Sequence, residues 1–245
     1  MTPPWLLAPW ALAVGACVAS FVTTAAVRSV RGEPFLGGRS HCDGCGAPLS
    51  LIRTVPVLSY VGLRGACSGC GARIDPAHPL GEITGGLLVL AAVEATPLPQ
   101  ALLISALGMT LLAAAVIDLR TQTLPDLLTL AAAALCAGLA LTHGIQALAC
   151  GAASAALAFV LLEAVRRGFI LVKRKPGLGF GDVKLIAALA FWLGAATPWA
   201  VVAASIGGLS LFAVTRPKDG RIAFGPMIAA SAWSLGLVKE AGWWP

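Results

Sequence analysis

Charge is scarce in this chain. Asp, Glu, Lys and Arg together make up 11% of its 245 residues, against about a quarter in soluble domains. That shortage excludes an ordinary water-soluble domain, whose surface would lack solvating groups. Hydrophobic residues reach 58% and mean hydropathy is +0.87, so the apolar excess is expected to be solvated by lipid. Aromatics are also few, at 7% with a single tyrosine. The formal net charge of +6 therefore comes without the aromatic-interleaved basic stripe of a nucleic-acid surface, and no nucleic-acid partner is expected. Basic residues are missing ahead of the first apolar run; the first charge, Arg28, follows it. This is the reverse of a secretory signal, so the run reads as a retained helix with an external N-terminus.

What is present is a series of apolar runs, at 5–27, 80–96, 99–117, 127–143, 145–165, 183–197, 198–214 and 225–240. Several fall short of the roughly 20 residues that a spanning helix uses. The expected fold is all-α and polytopic, with about eight transmembrane helices and a small loop domain. All but one of the 17 basic residues fall in 28–79, 118–126, 166–184 and 215–224. The alternate turns, near Thr96–Gln100, Thr142–Gln146 and Ala195–Pro198, hold none. With eight spans every basic loop lies on one face, which the positive-inside rule makes cytoplasmic. Both termini are then external, with Trp243 and Trp244 suited to an interfacial belt. The implied surroundings are a membrane, with lipid as solvent.

Residues 28–79 form the one large polar segment. It contains Cys42-Asp43-Gly44-Cys45-Gly46-Ala47 and Cys67-Ser68-Gly69-Cys70-Gly71-Ala72, a short repeat of the form C-x-G-C-G-A. Two residues between thiolates let both sulfurs of a turn face one ion, and glycine permits the tight turn. Four thiolates from two such turns make a closed tetrahedral site of the structural zinc type. The alternative is a pair of disulfides, which a reducing cytoplasm disfavours. His41 and His78 read as solvated loop histidines, since four thiolates complete the shell. Cys17, Cys136 and Cys150 read as small packing residues. Gly81 and Gly85 suggest a helix-packing face, and Glu82 either anchors the loop or contacts a ligand.

Two aspartates sit at the ends of apolar runs, where a carboxylate is costly and functional by default. Asp118 ends the run Ala101–Ile117, and Asp182 follows Gly179-Phe180-Gly181 and opens Val183–Ala196. In the eight-span topology both fall at the cytoplasmic edge. If the helices are neighbours, the pair can share one proton, because like charges a few ångströms apart do not both ionise. Such a pair hydrolyses a peptide by acid–base chemistry without a covalent intermediate. Gly179 and Gly181 are expected to allow positive φ and a close approach of extended substrate. Lys184 either faces headgroups or biases the ionisation of the acid. Asp126, after Leu124-Pro125, reads as a helix cap rather than a third acid. The competing reading makes Asp118 and Asp182 caps, or partners of Arg120 and Lys184.

The chain resembles the bacterial type IV prepilin peptidases, polytopic aspartic proteases of the G-x-G-D class. Three stretches carry the resemblance: the two-CxxC loop, with Val55-Pro56-Val57-Leu58-Ser59-Tyr60 and Leu63-Arg64-Gly65; the segment Asp118 to Asp126; and Gly179-Phe180-Gly181-Asp182-Val183-Lys184-Leu185. It runs from about Ser20 to Pro226. The resemblance implies that Asp118 and Asp182 are catalytic and cleave a short basic leader after a glycine. The substrates would be prepilins or type II secretion pseudopilins. It also implies N-methylation of the new terminus from S-adenosylmethionine, an activity linked to the cysteine loop; Gly37-Gly38 is too weak a signal to place that cofactor. Two departures stand out: Ala223 replaces a proline in Ile222-Ala223-Phe224-Gly225-Pro226, and Thr23-Thr24 replace an asparagine after Ser20-Phe21. The expected organisation is a first helix at 1–27, a four-cysteine loop domain at 28–79 and a transmembrane peptidase domain at 80–245. The alternatives are a peptidase without methyl transfer, or a proton- or metal-coupled transporter using Glu94 and Glu163.

Overall fold

The computed structural model describes residues 4–34, 39–174, 177–216 and 221–243, with side chains from residue 7 onward. Lys175, Lys218, Trp244 and Gly37-Gly38 lie outside the described residues. The described residues are mainly helical, with no strand and only two isolated bridges. In chain order the helices are α1 (Pro4–Arg31), α2 (Leu58–Gly62), α3 (Ala77–Ala95), α4 (Leu98–Thr121) and α5 (Asp126–Thr142). They continue with α6 (Ile145–Lys173), α7 (Phe180–Leu193), α8 (Thr197–Thr215) and α9 (Gly225–Glu240). Each expected apolar run coincides with a helix. By length and composition, four segments can cross a membrane: Leu7–Arg31, Leu98–Thr121, Ile145–Lys173 and Phe180–Thr215.

The chain divides into two compact units, residues 1–94 and 95–245. In the first, Gly15 and Gly81 mark a close crossing of α1 with α3. A Cβ on Gly15 would come within 2.5 Å of the Gly85 carbonyl oxygen, and one on Gly81 within 2.2 Å of Thr23 Oγ1. Ala11, Gly15, Ala19 and Thr23 recur every fourth residue and are buried, which is the small-residue seam that lets helix backbones approach in lipid.

In the second unit α7 is the central helix, packing on α5, α6 and α9, while α4 packs on α5 and α9. Trp192 of α7 is buried against Gly236 of α9, where a Cβ would meet its ring at 2.2 Å. The Trp192 indole N–H donates to Glu240 (2.9 Å), which also contacts His143 Nε2 at 3.0 Å. At mid-helix the Trp233 indole donates to the Ile104 carbonyl (3.3 Å), holding α9 on α4.

One boundary differs from expectation. The charge pattern places Arg166, Arg167 and Lys173 in a loop, but α6 runs on to Lys173. Glu163 explains this, since Arg166 and Arg167 reach back one turn and both bond its carboxylate. Pairs at i,i+3 and i,i+4 stabilise the helical conformation.

Candidate active site

Asp118 lies in the last turn of α4, which Gln122 ends in the left-handed region (φ 53°) with its N–H on the Asp118 carbonyl. The aspartate is 4% exposed. Its Oδ2 accepts the Gly225 N–H at 2.8 Å. Gly225 and Pro226 open α9, so this N–H belongs to the first turn, where a helix has donors without intrahelical acceptors. A Cβ on Gly225 would sit 2.8 Å from that same oxygen. Glycine is therefore the residue that lets the backbone reach the carboxylate.

Asp182 is the third residue of α7, half-buried, with Gly179 at the cap. The Asp182 carboxylate folds back toward the Gly179 backbone, the direction that third-position acids take at helix starts. The expected positive φ is not found: Gly179 has φ −67°, and Gly181 is helical. The physical reason for glycine is space. A Cβ at 179 would lie 2.8 Å from Asp182 Oδ2, and one at 181 would lie 3.0 Å from Leu124 Cβ. Asp118 and Asp182 are within electrostatic reach of each other; α5 and α9, which pack on both α4 and α7, hold the two helices in that relation.

Lys184 is ion-paired with Asp126, the first residue of α5, and its ammonium stands 5.0 Å from the Phe180 ring centroid. Arg166 lies over the same ring at 5.1 Å, and Phe159 meets it edge-on. Phe180 thus meets two cations, a contact that ring quadrupoles favour. A groove of about 360 Å³ opens beside this cluster, bordered by Asp126, Thr129, Ala133, Phe159, Lys184 and Phe191.

In the first unit the ligating atoms of Cys42, Cys45, Cys67 and Cys70 all lie within 4.8 Å of one another. The two knuckles repeat the same bonds. Cys42 N–H donates to Ala47 and Gly46 N–H to Cys42, matched by Cys67 to Ala72 and Gly71 to Cys67. Gly46 and Gly71 take φ near +70°, which glycine alone adopts without strain. Cys42 and Cys70 sulfurs are 3.8 Å apart. Four sulfurs at 2.3 Å from one zinc stand about 3.8 Å apart in a tetrahedron, so the residues present fit the ion. Backbone N–H groups of Cys70 and Gly69 push the Cys67 thiol down, while the neighbouring sulfurs push Cys70 up, as expected of thiols that crowd one point. His41 is no part of the cluster; its ring contacts the Arg39 carbonyl.

Glu82 is buried and accepts the Ser20 hydroxyl and the Val57 N–H, each at 2.7 Å. It borders a cavity of about 180 Å³, together with Thr24, Arg31, Glu33, Asp43 and Tyr60. Sequence reasoning missed Gly225, whose only signal was its place in the Phe-Gly-Pro stretch, and left Glu82 undecided.

Residues 13–95 match the bacterial peptidase A24 N-terminal domain, and residues 102–213 match the type IV leader peptidase family. A prepilin leader peptidase/N-methyltransferase of Burkholderia pseudomallei is 37% identical over 203 residues, covering 78% of this chain and 64% of that protein. Proteins of the same name from Aeromonas salmonicida and Neisseria gonorrhoeae are each 35% identical. They cover 80% and 83% of this chain, and 69% and 72% of their own lengths. The chain thus spans somewhat less than two thirds of the Burkholderia relative. No solved structure matches it. On these matches the chain belongs to the type IV leader peptidase family.

Proposed function

We propose that this chain is a membrane aspartic endopeptidase, with Asp118 and Asp182 as its catalytic pair. It removes the basic leader of type IV prepilins or type II secretion pseudopilins after a glycine, then N-methylates the new terminus. The observation that supports the reading is that two carboxylates, at the end of α4 and the start of α7, lie within electrostatic reach of each other. The names of the relatives supply the substrate and the second activity.

In this mechanism one carboxylate takes a proton from water, whose oxygen attacks the scissile carbonyl. The other carboxylic acid donates its proton to the carbonyl oxygen. Collapse of the tetrahedral intermediate returns that proton to its donor and releases the amine, which takes up the proton first removed from water. General acid–base transfer of this kind contributes about 10²–10⁴-fold. The Gly225 N–H fixes Asp118 in position, and the small residues at 179 and 181 keep the approach to Asp182 open. Lys184 acts through Asp126 and Phe180 to hold that turn. The groove bordered by Phe159 and Phe191 suits the apolar segment that follows a leader.

The proposed topology has eight crossings, with the basic loops, the cysteine loop and the active site facing the cytoplasm of an inner membrane. The positive-inside rule supports that orientation. Residues 1–27, 28–79 and 80–245 are taken as first helix, loop domain and peptidase domain. Cys42, Cys45, Cys67 and Cys70 would hold a structural zinc; closed ligation orders the loop and gives no Lewis acid. The cavity beside Glu82 is bordered by Glu33, Tyr60 and the Arg31–Asp43 ion pair (2.9 Å); Glu33 would face a cationic group and Tyr60 a flat ring, a lining compatible with S-adenosylmethionine. When bound, that donor supplies an electrophilic methyl group.

The alternative, a peptidase without methyl transfer, turns on one departure from the family's pattern. Of Thr23-Thr24, Thr24 borders this cavity, while buried Thr23 faces Gly81 and has no hydrogen-bond partner for its hydroxyl. Incubation with a model prepilin and methyl donor, read by mass, tests both activities. A cleaved and methylated product is expected. An uncleaved substrate contradicts the peptidase reading, and a cleaved product with a free amine contradicts methyl transfer.

A further inference from the structure

The cysteine-loop unit carries a surface that neither metal ligation nor the cavity explains. Leu51 is 88% exposed, Ile52 81%, Leu58 71% and Val61 66%. Leu51 and Ile52 stand on the 3-10 turn Leu51–Thr54, which packs beside α2. Leu58 and Val61 are three apart on α2 and so share one of its faces. Contiguous apolar surface of this kind on a polar module marks a contact with a protein or a membrane. Exposed Arg53 and Arg64 flank it.

The height of this surface along α1 decides between these. Glu82 bonds both Ser20 of α1 and the Val57 N–H at 2.7 Å. Ser20 lies eight residues before Arg28 and eleven before Arg31. At 1.5 Å per residue that is about 12 and 16 Å below the charged end of the helix. Val57 is thus tied down at the level of the span Leu7–Arg31, not above it. Side chains there are exposed and apolar: Val18 and Phe21 on α1, Leu80 and Ile83 on α3. Val57 itself has φ +60°, ψ −49°, which is costly for a β-branched residue. The strained turn persists because the buried Glu82 carboxylate holds its N–H.

We propose that residues 51–61 form a membrane anchor for the cysteine-loop unit. The apolar side chains enter the acyl boundary of the leaflet in which α1 ends, and Arg53 and Arg64 meet lipid phosphates. Apolar insertion combined with basic residues at headgroup level is the physics of interfacial segments. Glu82 is the positioning residue that sets its depth. The inference rests on α1 crossing the bilayer and does not depend on the peptidase reading.

The test uses the full chain in vesicles of phosphatidylethanolamine and phosphatidylglycerol, with a benzophenone amino acid at position 52, 58 or 68. Irradiation and mass analysis read what each position touches. Lipid adducts several-fold more abundant at 52 and 58 than at exposed Ser68 are expected, with zinc content equal in all three. Glu82→Gln, which offers one acceptor oxygen where two are used, should lower the adduct at 52 while zinc content is kept. Equal lipid labelling at all three positions overturns the proposal. So does labelling of a second copy or of another protein in place of lipid.

Discussion

Replacing Gly225 with alanine tests how the carboxylate pair is held, without altering either acid. The added Cβ would lie 2.8 Å from Asp118 Oδ2, 3.1 Å from Cγ and 3.2 Å from its Cβ. Ordinary contact begins near 3.4 Å, so the carboxylate must retreat by about 0.6 Å and loosen its bond to the Gly225 N–H. A misplacement of about 1 Å at a reacting group costs roughly 10²-fold in rate. Gly225→Ala should therefore lower kcat for leader cleavage by roughly tenfold to a hundredfold. KM should hold, because the change moves an acid and not the groove. Gly168→Ala is the matched control, since a Cβ there meets nothing within 4 Å. The assay is steady-state cleavage of a model prepilin in detergent, with thermal unfolding measured on the same samples. A folded Gly225→Ala protein that cleaves at the unaltered rate would refute this account of Asp118.

Three further predictions concern other parts of the molecule. Gly236→Ala sets a Cβ 2.2 Å from the buried Trp192 ring, and overpacking of this kind costs about 1–3 kcal/mol; an unchanged Tm would contradict the packing described. Asp126→Asn should leave cleavage within about threefold, because its pair with Lys184 is largely exposed (side chains 73% and 26%) and such pairs contribute little; loss of activity would make Asp126 a third essential acid. Cys42→Ser with Cys45→Ser should lower bound zinc and make the loop susceptible to protease, while metal stoichiometry unchanged from the parent chain would rule out this ligand set.

The apolar runs were legible because lipid solvation leaves little freedom in where helices lie, and each run became one. The cysteine knuckles were legible for a similar reason, as thiol spacing and glycine placement are local properties. Asp118 and Asp182 could be picked out as costly carboxylates in apolar runs, but sequence alone left open whether they meet. That their charges reach each other depends on α5 and α9 packing on both α4 and α7, a property of the bundle. The same limit hid Gly225, whose partner is 107 residues away, and Glu240, which joins Trp192 near the end of α7 to His143 at the end of α5. The glycines at 179 and 181 were found for the wrong local reason. Their φ angles are ordinary, and it is the room beside Asp182 and Leu124 that requires them. The end of α6 was misjudged because basic residues read as a loop, whereas Glu163 draws two of them back along the helix.

The central claim is that Asp118 and Asp182 act as one catalytic unit. It is tested most directly by the cleavage rates of Asp118→Asn, Asp182→Asn and the double variant on a model prepilin, at matched protein abundance. Groups that act together are grossly non-additive. Each single variant should lose cleavage entirely, and the double variant should be no worse than either one. Full cleavage by either single variant would contradict the account.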